Sequence, residues 1–102
     1  MSEGEFGLFA FDFFGDAKPG LNIAEVEDER ILGDSLALAS ITELDADSSP
    51  HLGSAKLTVH NVTPGEVNNG GKIVPGVRVR VENGFTATLP YRLTVWVLNT
   101  RR

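Results

Sequence analysis

A chain of 102 residues, 41% of them apolar, is the size of one domain and long enough to enclose a single core. With no cysteine, it has no disulfide, thiolate metal site or cysteine nucleophile. Its net charge of −5 conceals an uneven distribution. Residues 1–50 carry twelve acids against Lys18 and Arg30, a balance of −10, whereas residues 51–102 carry Glu66 and Glu82 against seven bases, a balance of +5. Either adjacent strands neutralise one another within one domain, or an acidic surface of one copy meets a basic surface of the next.

The opening Met1-Ser2-Glu3-Gly4-Glu5 is acidic and leads into no apolar h-region, and no apolar run approaches the roughly 20 residues of a membrane span. The expectation is a soluble chain without an export signal, cytoplasmic by default. Residues 5–14, EFGLFAFDFF, hold five of the six phenylalanines and are apolar on both alternating faces. Phe6, Leu8, Ala10 and Phe14 share one side with Asp12; Phe9, Phe11 and Phe13 share the other. Such a strand needs cover on both faces, from a second layer or from a neighbouring molecule. Phe9, Phe11 and Phe13 are therefore candidates for a subunit interface, and Gly7 for a bulge or a close backbone approach.

Asp16 to Gly20 is turn chemistry built on Pro19-Gly20. Asn22-Ile23-Ala24-Glu25 has the form of a capping box, with Gly33 placed to close a helix from Ile23 to Leu32; two short strands, 22–26 and 30–32, compete. Residues 34–44 read either as alternating, with Leu36 and Leu38 in phase, or as a helix uniting Ala37, Ile41 and Leu44; in a chain otherwise full of β signals the strand, over 35–43, is preferred. In the polar turn that follows, Asp45, Asp47 and Ser49 match the first ligand positions of a calcium loop. Pro50 then stands where glycine is wanted and Lys56 where the bidentate glutamate belongs, so the EF-hand is rejected and a solvated turn preferred.

Residues 55–62 alternate as a strand with Leu57 and Val59 inward. Residues 63–72, TPGEVNNGGK, read as a long mobile loop. Val77, Val79 and Val81 alternate with Arg78, Arg80 and Glu82, an unambiguous half-buried strand. A three-residue loop, Glu82-Asn83-Gly84, with Gly84 in a G1 bulge, would pair Val81 with Phe85, Val79 with Ala87 and Val77 with Leu89, making a hairpin. Beyond Pro90, which marks an edge, a bulge or a change of sheet, Leu93, Val95 and Val97 continue inward while Arg92, Thr94, Trp96 and Leu98 face away.

No nucleophile elbow, phosphate loop, dinucleotide fingerprint or H-E-x-x-H pair is present, and His51 and His60 stand without an evident triad. No catalytic residue, metal site or cofactor is expected. The strongest binding candidates are Trp96, Arg78, Arg80 and Arg92, grouped on the outer face of one C-terminal sheet. An isoelectric point near 4.9 argues against nucleic acid. The expected fold is an all-β, antiparallel β-sandwich of six to eight strands, Greek-key or jelly-roll-like, with room for one short helix near residues 23–32. The expected role is a non-enzymatic structural or assembly protein acting as a homo-oligomer. Its alternatives are a carbohydrate- or small-anion-binding module centred on Trp96, and a small hydrolase or isomerase without a recognisable motif.

Overall fold

The computed structural model describes residues 6–45, 47, 49, 50 and 57–100. Six strands make up the described chain: β1 (Phe6–Ala17), β2 (Gly20–Glu27), β3 (Leu36–Glu43), β4 (Leu57–Asn69), β5 (Lys72–Asn83) and β6 (Leu89–Thr100). They form two antiparallel three-stranded sheets, β1-β6-β3 and β2-β5-β4, packed face to face as a β-sandwich. Among the described residues there is no helix.

The two central strands supply the core. Val77, Val79 and Val81 of β5 face Leu93, Val95 and Val97 of β6 across the interior, all six without solvent exposure. Each such side chain contributes about 1.5–3 kcal/mol through removal from water. Phe9, Phe11 and Phe13 stand beside Val97, Val95 and Leu93 in register, on the inner face of the edge strand β1, and pack half-buried against this cluster. On the opposite side of the sandwich β3 leans on β4, whereas β1 and β2 stay largely apart. The phenyl rings therefore occupy the open mouth between the sheets.

The hairpin expected between Val77 and Leu89 does not form. β5 and β6 belong to different sheets, and residues 84–88 carry the chain from one to the other. The valines and Leu89 still turn inward, but Phe85 is 40% exposed and Ala87 is exposed. Asn83, 2% exposed, organises the crossing. Its Nδ2 donates to the carbonyls of Ala17 and Ala87, both at 2.8 Å, and its Oδ1 accepts the Phe85 N–H at 2.8 Å. One buried amide thus satisfies the backbone of the loop and of the end of β1.

The loop expected over residues 63–72 is mostly strand. β4 runs to Asn69, and Gly70-Gly71, with φ of +62° and +87°, turns the chain into β5 so that Asn69 pairs with Lys72. Positive φ at both turn positions matches the right-handed twist of the flanking strands and requires little beyond glycine. The helix at 23–32 is likewise replaced by β2, whose Ala24 and Val26 are buried while Ile23 and Glu25 point out. The capping-box asparagine instead ties the β1–β2 turn, its side chain bonding the Lys18 N–H and the carbonyls of Lys18 and Gly20. Of the second competing strand, 30–32, only a turn remains: Ile31 plugs the core at 3% exposure, and Arg30 lies over the Phe9 ring at 3.9 Å. Gly7 pairs regularly with Asn99 and marks no bulge.

Candidate functional site

The four binding candidates do not converge. Arg78 and Arg80 project from β5 on the outer face of one sheet, while Arg92 and Trp96 project from β6 on the outer face of the other, with the core between them. The alternation assigns both pairs to an outer face, but the sheet change at residues 84–88 turns those faces in opposite directions.

On the β2-β5-β4 face, opposed polar side chains meet across neighbouring strands. Glu25 lies opposite Arg78 in register and accepts from its guanidinium at 3.1 Å. The Asn68 N–H and Arg78 together hold the Glu25 carboxyl below its ordinary value. This cross-strand pair absorbs part of the charge asymmetry between the two halves of the chain. His60 sits in a bulge, where His60 and Asn61 together oppose Arg80, and its Nε2 lies 2.7 Å from Glu82 Oε1. Both partners are well exposed, and among the described residues no hydroxyl hydrogen-bonds His60.

The β1-β6-β3 outer face is chemically different. Its cross-strand rows read Leu8-Leu98-Leu36, then Ala10-Trp96-Leu38, then Asp12-Thr94-Ser40, then Phe14-Arg92-Thr42. Two apolar rows are followed by two more polar ones, in which Thr94 Oγ1 donates to Asp12 at 2.8 Å and the shielded Nε of Arg92 has no hydrogen-bond partner among the described residues. Leu8, Leu36, Leu38 and Trp96 are 66%, 63%, 73% and 49% exposed. Together they present on the order of 400 Å² of contiguous apolar surface, the size of the largest patch on a typical monomer, which is often a functional one. A concavity of about 450 Å³ runs among them, floored by Ala37 and Val97.

Trp96 was accessible to sequence reasoning because it breaks the polar side of its strand. That Leu36 and Leu38 are its neighbours is not legible in the sequence. They share one face of β3, but that face is the outer one, and Ala37, Ala39 and Ile41 turn inward where β3 approaches β4. Small side chains permit that approach, so the larger leucines are left outside. The signal for this lies in the β3–β6 pairing, which one strand's pattern does not contain.

Asp45 accepts the N–H groups of Asp47 and Ser49 at 2.9 and 3.0 Å, closing the polar turn with its own carboxylate. Among the described residues no cluster of three or more His, Asp or Glu side chains is arranged to hold a metal ion. His51 and Lys56 lie outside the described residues. Among the described residues no helix is long and apolar enough to cross a membrane. Compared with known proteins, the chain matches no family model, and no curated protein or solved structure proves similar to it.

Proposed function

We propose that this protein is a non-enzymatic assembly or structural component that works as a homo-oligomer. The observation that carries this reading is the pair of apolar rows on the outer face of β1-β6-β3, where four large side chains meet solvent on a domain with an otherwise well-formed core. Covering this surface with a second copy would remove apolar area from water on both partners at once, which is the main driving force for association. The half-buried Phe9, Phe11 and Phe13 at the open mouth of the sandwich add a second incompletely covered region.

Trp96, the only tryptophan, reports on this surface directly. Light scattering across a concentration series is expected to show a mass above that of the 11.0 kDa chain, with Trp96 emission shifting to the blue as the oligomer forms. Leu38→Glu, at an exposed position, is expected to leave the fold intact and weaken association at least about tenfold by placing a charge in the patch. A wild-type mass that stays monomeric at every concentration would contradict the proposal. A second reading, a binding module, draws on the concavity beside Trp96. Its lining of aliphatic side chains and Trp96, without converging hydrogen-bond groups, favours an apolar ligand over a carbohydrate. In that case emission changes on adding ligand to a monomer.

A further inference from the structure

The free edge of β1 is unlike the other sheet edges. β1 pairs with β6 through an unbroken register from Phe6 to Ala17, and among the described residues nothing pairs with its other side. Twelve residues of edge would ordinarily be blunted by a bulge, a proline or a lysine. β4 has such devices, a bulge at His60-Asn61 and Pro64 followed by Gly65 at a φ of +140°. β2 and β3 are a third shorter, eight residues each. β1 has no proline, lysine, arginine or bulge, and its only charges, Asp12 and Asp16, are both exposed on the outer side.

The sequence of this edge is nearly symmetric about Phe11. Residues 7–15, GLFAFDFFG, place Gly7 against Gly15, Leu8 against Phe14, Phe9 against Phe13, and Ala10 against Asp12 when folded back about the centre. In an isologous two-fold contact between antiparallel strands, the residue n places before the axis lies opposite the residue n places after it in the partner. We infer that β1 pairs with β1 of a second copy about an axis at Phe11, joining two three-stranded sheets into one of six strands. This rests on the reading that the chain self-associates, and it specifies one contact by which it does so.

The register follows from what each alternative would oppose. About Phe11, the inner face sets Phe9 against Phe13 of the second copy and Phe11 against its own counterpart, extending aromatic cover over the open mouth of both sandwiches. The outer face sets Leu8 against Phe14. That accounts for Phe14, which is 60% exposed and stands beside Arg92 rather than within the apolar rows. An axis at Asp12 would set the two aspartates against each other, and one at Ala10 would set Leu8 against Asp12.

The chain lacks cysteine, so introduced thiols report without interference. Leu8→Cys and Phe14→Cys both alter exposed side chains, so the fold is not at stake. Directly opposed residues place their Cα atoms about 5 Å apart, within reach of a disulfide, whereas Leu8 and its own counterpart would lie roughly 20 Å apart. An equimolar mixture of the two variants is expected to form covalent dimers under mild oxidation about tenfold faster than either variant alone. If light scattering shows an oligomer but the mixture crosslinks no faster than the single variants, this edge contact is overturned while self-association by another surface stands. A monomer throughout overturns both.

Discussion

Asn83 shows how one side chain can determine a chain crossing. It is buried and all three of its hydrogen bonds go to backbone, two as donor and one as acceptor. Asn83→Ala leaves the buried Ala17 carbonyl without its partner and releases the Ala87 carbonyl and the Phe85 N–H in a loop partly open to water, and should cost about 1–3 kcal/mol in chemical denaturation. Gly76 acts through space instead. A Cβ there would stand 2.3 Å from the Val26 carbonyl oxygen, so Gly76→Ala must push β2 from β5, with an expected loss of about 3 kcal/mol. Asp28 adds a pH dependence. Arg30 donates to both its carboxylate oxygens, at 3.0 and 2.7 Å, and holds its pKa below the ordinary 3.8. Because the folded value is the lower one, the stabilisation is full above the unfolded value and fades as pH falls from there through the folded value. Asp28→Asn is therefore expected to lower the melting temperature near neutral pH and to converge with wild type in strong acid.

Among the elements, the β4–β5 hairpin and the β5–β6 connection make an instructive contrast. Asn-Gly-Gly-Lys contains a strong local turn signal, yet its context of asparagines and glycines resembles a loop, and the strand character of residues 63–69 comes from pairing with β5. Gly71→Val should destabilise the hairpin by about 1–3 kcal/mol through its positive φ, while Gly70→Asn should be nearly neutral, both measured by denaturant titration. Asn83-Gly84 resembles a hairpin turn just as strongly and forms none. The valines of β5 and the leucine and valines of β6 are inward-facing either way, because inward means towards the same core whether two strands lie side by side or face each other across it.

For the whole molecule, the open side between β1 and β2, the long bare edge of β1 and the apolar rows beside Trp96 are features of one unsymmetrical sandwich that closes better along β3 and β4. An association driven by these surfaces should depend weakly on salt, since the side chains they present are mainly apolar. The period-two patterns in the sequence were sufficient for the all-β class, for the inward faces of β5 and β6, and for singling out Trp96 and the odd-numbered phenylalanines, because alternation depends only on each strand's own residues. Tertiary structure alone decided that the arginines of β5 and Trp96 lie on opposite sides, that the β3 leucines face out, and that β1 is an edge. Those outcomes depend on which strands become neighbours, and strand partnership is a contact between distant parts of the chain that no local pattern encodes.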